Sequence, residues 1–159
     1  MDRRIQKTRN AIIEAFVDLM AEKNFEQITI NEIAERANVN RGTIYLHYVD
    51  KHDLLEQCIE MHLDQLFQKC PPGGDTDSFS SKDAMLRMFE YLEQNALFYS
   101  TILTNKGIPA FRKRLLDMAT NSLNEQIYKG NIHQNIRNEV LVQFLASAGV
   151  GVIEWWITN

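Results

Sequence analysis

The strongest constraint on this chain is the period of its apolar residues. Ile5, Thr8, Ile12, Phe16, Leu19 and Met20 recur three and four residues apart, which puts them on one face of a helix reaching about Glu22. The same spacing returns in Leu54, Leu55, Cys58, Ile59, His62, Leu63, Leu66 and Phe67, and again in Ala84, Met85, Met88, Phe89 and Leu92. Phe111, Leu115, Met118, Ala119, Ser122 and Ile127 repeat it once more. Phe25 to Ile30 alternates briefly like a strand, but Thr29 and Glu32 form a capping box. A short helix from Ile30 to about Arg36 is therefore expected, with Ile33, Ala34 and Ala37 inward. The fold class is all-α.

The breaks between helices are as informative. Lys23-Asn24 ends the first helix, with Asn24 tolerant of a left-handed backbone. Asn38 is expected at positive φ, and Asn40 caps a helix from Arg41 to Tyr48. Asp50 caps the next start, where Asp53 sits favourably near the positive helix end. Residues 70–81 hold two of the three prolines and two of the seven glycines, so they read as a linker loop. Ser80 with Asp83 opens a helix, Asn95 to Asn105 is a short helical piece, Gly107-Ile108-Pro109 restarts the chain, and Gly130 ends the next helix. The last helix starts at about Gln134. Two domains follow from this layout: residues 1–50, and residues 51–159 as a helical bundle.

At 159 residues, with 45% hydrophobic content, the chain is long enough to bury a core and too apolar for disorder. Two cysteines make no disulfide scaffold, and the first residues lack a signal peptide's apolar core, so a reduced, cytoplasmic setting is expected. Val140 to Ile157 is apolar but interrupted by Gln143, Ser147 and Glu154, which argues against a membrane span. The net charge of −4 is unevenly spread. Arg3, Arg4, Lys7, Arg9, Lys23, Arg36, Arg41 and Lys51 balance the acids of the first third, and the excess acid lies beyond. A locally basic end can bind phosphate on an acidic protein.

Two short helices joined by a turn at Asn38, behind a longer helix, make a helix-turn-helix. Ala34 is small where the helices cross, and Val39 is apolar just after the turn. The sequence from Thr29 through Ile33-Ala34, Asn38-Val39-Asn40-Arg41-Gly42-Thr43-Ile44-Tyr45-Leu46-His47-Tyr48 and Lys51 to Leu55 closely resembles the DNA-binding domain of TetR-type transcriptional regulators. The resemblance extends from about Lys7 to Leu55. Asn38 stands where that family usually has Gly, and Asn40 where it often has Ser; both keep the turn and cap chemistry. The resemblance implies that Thr43, Tyr45, His47 and Lys51 hold the phosphate backbone, and hydroxyl, imidazole and ammonium groups suit that role. Thr29, near a helix start, can present backbone amides to a further phosphate. Base reading falls to Asn40, Arg41, Gly42 and Leu46: Arg41 bidentate to guanine, Asn40 to adenine, Leu46 on a thymine methyl, Gly42 permitting close approach.

Several of these residues have a second reading. Tyr45 and Tyr48 also suit a core or hinge, the former favouring the backbone role and the latter the core. Leu46 can pack inside. Arg3, Arg4, Lys7 and Arg9 form either a solvated end or an arm on phosphate or minor groove. Asn40 is a cap first.

A single reading helix is weakly specific, so a homodimer on a palindromic operator of double-stranded DNA is expected. The expected seam is the last helix: Ala148, Gly149, Gly151, Val152, Trp155 and Trp156. Mid-helix glycines cost about 1 kcal/mol each against Ala, which makes sense where another backbone comes close, in a partner subunit or within one subunit. Asn95 onward, with Phe98-Tyr99, Phe111 and Gly151 to Trp156, also resembles the C-terminal part of small TetR-type regulators of Firmicutes. Relatives of that kind usually run further, so truncation is one reading of the end at Asn159, and the role of a final helix is left open. The resemblance implies a small effector, for which Met85, Met88, Phe89, Tyr91, Phe98, Tyr99, Phe111, Leu115 and Met118 are candidate pocket residues; the same stripe also reads as plain core. A protein co-regulator is the alternative to a small effector, and a helical co-regulator acting through another protein is the alternative function. Cys58 and His62 lie one turn apart, but two ligands close no metal site. No nucleotide loop, nucleophile elbow or carboxylate pair occurs, so neither enzyme activity, cofactor nor metal is expected.

Overall fold

The computed structural model describes residues 3–69, 81–104, 109–129 and 136–159. Those residues form eight α-helices and one 3₁₀ turn, with no strand: α1 (Arg3–Glu22), the 3₁₀ turn (Phe25–Gln27), α2 (Ile30–Arg36), α3 (Arg41–Tyr45), α4 (Lys51–Lys69), α5 (Ser81–Gln94), α6 (Ala96–Thr104), α7 (Pro109–Lys129) and α8 (Ile136–Thr158). Apart from Ser81, the expected linker 70–81 lies outside the described residues, as do Ser80, Asn105, Gly107, Ile108, Gly130 and Gln134.

The bounds of α2 follow from its two ends. Thr29 Oγ1 accepts from the Glu32 amide at 3.3 Å while Glu32 Oε2 accepts from the Thr29 amide at 3.0 Å, the reciprocal capping box. The Lys23 ammonium and these Thr29 bonds hold the Glu32 carboxyl down to about 2. At the other end Asn38 takes φ 52°. Its amide donates to Glu35 O (3.1 Å) and that of Val39 to Ala34 O (3.0 Å), so a Schellman closure directs the chain into α3. Asn24, by contrast, is not left-handed but extended, at φ −60° and ψ 140°. The Lys23 amide still closes on Leu19 O, and the 3₁₀ turn occupies the strand-like stretch.

One apolar core runs from Ile12 and Phe16 on α1, through Ile33, Ile44, Tyr48, Leu54 and Leu63, to Tyr99, Phe111 and Ile153. Helix α1 packs on α2 and α6, α4 on α5, and α7 on α8. Ion pairs brace the exterior: Lys23–Glu32, Arg36–Glu22, Arg112–Glu154 and Arg114–Glu56. Between α4 and α6 the His62 ring lies flat on Phe98, 3.7 Å between centroids. It is 8% exposed, its Nδ1 has no hydrogen-bond partner among the described residues, and burial lowers its pKa to about 4. Helix α8 is the one described helix long and apolar enough to cross a membrane by length and composition. Its Val142, Ala146, Val150 and Ile153 are nonetheless buried in the protein, and Glu154 accepts from Arg112 Nε at 2.8 Å.

Two stability measurements test this account. Asn38→Ala is expected to lower unfolding stability by about 1 kcal/mol in urea titration, because Ala holds a Cβ at positive φ without the polar side chain that makes Asn tolerant there; Asn38→Gly, with no Cβ, should be at or above wild type. Since His62 is held neutral, with a folded pKa below its ordinary 6.5, the unfolded chain binds the extra proton. Stability is therefore full above pH 6.5 and falls toward pH 4 by on the order of 3 kcal/mol. His62→Phe should flatten that fall.

Candidate nucleic-acid interface

The second helix of the helix-turn-helix is shorter than the sequence suggests, closing at Tyr45 rather than Tyr48. The amides of His47 and Tyr48 both fold back on Ile44 O at 2.9 Å, so the last turn tightens and tips the Tyr48 ring inward. Asn40 Oδ1 accepts from the Gly42 amide at 2.8 Å, which starts α3. Beyond the turn, Asp50 Oδ1 accepts from the amides of His52 and Asp53, and Asp53 Oδ2 accepts from the Val49 amide. Hydrogen bonds from Gln57 and Val49 hold the Asp53 carboxyl below its usual range.

The result is one exposed edge. Asn40, Arg41 and Gly42 at the start of α3 are exposed, Tyr45 is 46% exposed and Leu46 80% exposed. Leu46 therefore does not pack inside. Tyr48 does, at 2% exposed, next to buried Ile44. Thr43 and His47 are half-buried along the same edge. A Cβ built on Gly42 would meet only Asn40 Oδ1, at 3.4 Å, so packing within the subunit leaves room for a side chain there. Arg41 Nη2 donates to Tyr45 Oη at 3.2 Å, and its guanidinium lies 5.5 Å from the ring centroid. The proposed base reader and the proposed phosphate binder are thus in contact one turn apart.

Two residues take on work that their spacing does not reveal. The Lys51 ammonium donates to the carbonyls of Phe25, Glu26 and Ile28 at 3.1, 3.0 and 3.3 Å and lies over the Phe25 ring, tying the start of α4 to the 3₁₀ turn between α1 and α2. Arg9 donates to Gln57 Oε1 at 3.0 Å and approaches the Tyr48 ring, so it packs α1 against α4. Helix α1 already begins at Arg3, and Arg3, Arg4 and Lys7 ride on it instead of forming a loose arm. The Thr29 hydroxyl is occupied by the capping box.

The C-terminal candidates divide. Phe98, Tyr99, Phe111 and Leu115 are buried in a packed aromatic cluster, where Tyr99 Oη donates to His62 O at 3.1 Å. Met85 is exposed, and Phe89 meets Trp156 at 5.2 Å. Of those named, only Met88 and Leu115 line an apolar cavity of ≈ 220 Å³ between α4, α5, α7 and α8. Its other walls are Leu66 and Phe67 of α4, Ala119, Ser122 and Leu123 of α7, and Leu145, Ala146, Gly149, Val150 and Ile153 of α8. Spacing within one helix misses such a site, because four helices furnish it. On α8, Val140, Phe144, Ala148, Val152 and Trp155 form an exposed stripe opposite the buried one, whereas Trp156 turns inward to Phe89. Cys58 is fully buried, its thiol pushed up to about 12 by burial. Among the described residues no group of three His, Cys, Asp or Glu is placed to hold a metal.

Known proteins share both halves of this arrangement. The family model for bacterial regulatory proteins of the tetR family matches residues 12–58, and that for a transcriptional regulator C-terminal region matches 80–159. The chain belongs to the TetR family. The probable acrEF/envCD operon repressor of Escherichia coli K12 is 41% identical over 96% of this chain and 77% of its own length. The dhaKLM operon transcriptional activator DhaS of Lactococcus lactis is 27% identical over 60% of this chain and 48% of its own length. A TetR regulator from Streptococcus agalactiae 2603V superposes with a TM-score of 0.69 at 28% identity, covering 99% of this chain and 86% of its own. The chain thus spans about half the length of DhaS, and 22% of that of a Bacillus subtilis relative. The TetR family is one of transcriptional regulators rather than enzymes, with a helix-turn-helix reading head of the kind seen here.

The Lys51 bonds carry a prediction independent of DNA. Lys51→Met should lower the stability of the free protein by about 1–2 kcal/mol in denaturant titration, because three carbonyls lose a charged donor.

Proposed function

We propose that the protein is a homodimeric regulator that binds a palindromic operator in the cytoplasm and is modulated by a small effector. Residues 1–50 form the reading head, and residues 51–159 the regulatory and dimerisation part. The observation that carries the DNA-binding reading is the exposed edge of α3. Arg41, Tyr45 and Leu46 face outward there, while Ile44 and Tyr48 between and beside them are buried.

In this reading Asn40, Arg41, Gly42 and Leu46 address base edges, and Thr43, Tyr45 and His47 grip phosphate. Lys51 and Thr29 set the position of the edge, with the Lys51 charge adding attraction for the backbone. The α8 stripe favours pairing. Phe144 is 67% exposed and Trp155 64%. A Cβ on Gly149 or Gly151 would meet nothing within 4 Å among the described residues. Close packing among the described residues does not account for these glycines, which favours the approach of a second copy. Two-fold pairing places two reading heads on one face of a duplex. Effector control is supported by the cavity, because Leu66 and Phe67 line it from the helix whose first turn holds the reading head. One relative's name says repressor and another's activator; release of a repressor by the effector is the sign proposed.

Two experiments test the reading. Arg41→Ala, assayed against a pool of random duplexes, should relax the choice at one base pair by about 1–3 kcal/mol while leaving the salt dependence nearly intact. Retention of the full base preference would remove Arg41 as a reader. Phe144→Asp should yield a folded monomer in sedimentation equilibrium that no longer retards operator DNA. A dimer that survives this change would place the seam elsewhere.

A further inference from the structure

The size and lining of the C-terminal cavity define what kind of molecule it admits, given the effector reading above, on which this inference rests. At ≈ 220 Å³ it is larger than the roughly 150 Å³ hole that takes up benzene and smaller than the roughly 300 Å³ at which drug-sized sites begin. One ring with a short substituent, or two fused rings, matches that interval. The described lining contains no charged side chain, and its single side-chain hydroxyl is that of Ser122. A carboxylate, phosphate or ammonium would leave water there without a counter-charge, which opposes binding strongly. The lining supplies Met88 and Phe67 instead, a polarisable thioether and an aromatic face suited to a ring. Arg112, which lies on the same helix as Ser122, is already paired with Glu154 at 2.8 Å.

We propose that this cavity binds a compact, uncharged, mainly apolar molecule of one or two rings whose one polar group meets Ser122. Leu66 and Phe67 contribute from α4, and Val150 and Ile153 from α8, so a bound molecule touches both the helix that carries the reading head and the helix with the outward apolar stripe. Leu145 and Gly149, which also line the cavity, are exposed, so a side chain of a second copy is the competing occupant.

The probe is 1-naphthol, with 1-naphthoate as its charged counterpart, each followed by calorimetry and thermal shift on the full chain. Saturable binding of 1-naphthol with Kd below about 1 mM, and none of 1-naphthoate, is the expected result. Ala119→Phe, which fills the cavity from α7, should abolish that binding. Met88→Trp does the same from α5 should the first variant fail to fold. Ser122→Ala should weaken 1-naphthol several-fold, as the loss of one neutral hydrogen bond does. Equal binding of the two probes, no binding of 1-naphthol, or binding indifferent to both filled variants would overturn the proposal. So would binding seen only when the protein is diluted to monomer, since the second copy would then be the occupant. Operator retardation is measured on the same samples. Specific 1-naphthol binding with unchanged retardation upholds the ligand class and removes the effector role. Loss of retardation without ligand removes the DNA-binding reading and leaves the cavity result standing.

Discussion

The start of α4 is the joint on which the rest of the molecule depends. Asp50 takes two amides, Asp53 takes the Val49 amide, and Lys51 gathers three carbonyls from the end of the α1–α2 connection. The ends of three helical segments are satisfied within a few residues, and charged partners make such bonds about twice as strong as neutral ones. This joint sets the angle at which α3 leaves the body. It also makes α4 a continuous rod from the reading edge to Leu66 and Phe67 at the cavity wall. The sequence Asp50-Lys51-His52-Asp53 is therefore an anchor for the start of α4.

Much of the reading head was legible from residue types alone. The α2 bounds, the positive φ of Asn38 and the Asn40 and Asp50 caps each rest on local chemistry, in which the deciding partner lies within four residues. Where the partner is distant, local reasoning fails. The neighbours of Lys51 lie more than twenty residues earlier, so its ammonium looks like a phosphate ligand when much of its work is internal. Tyr48 and Leu46 differ only in which side of a tightened turn they leave from, and that depends on the bonds to Ile44.

The C-terminal half was harder for a related reason. Helix α8 is apolar nearly all round, so its period cannot say which stripe is core; packing against α7 and α6 decides it. The Met and aromatic stripe of α5 to α7 signals burial without separating a filled core from a cavity. The structure puts Phe98, Tyr99 and Phe111 in the former and opens the latter among residues of α4, α5, α7 and α8.

The uninterrupted core from Ile12 to Ile153 has a mechanical consequence. The buried side chains of α1 to α4 run on without a break into those of α6, α7 and α8, so the two ends share one packed interior. Any rearrangement at the far end must be carried as strain through close-packed side chains. Substitutions deep in the bundle, remote from α3, should thus reach the position of its exposed edge through packing alone.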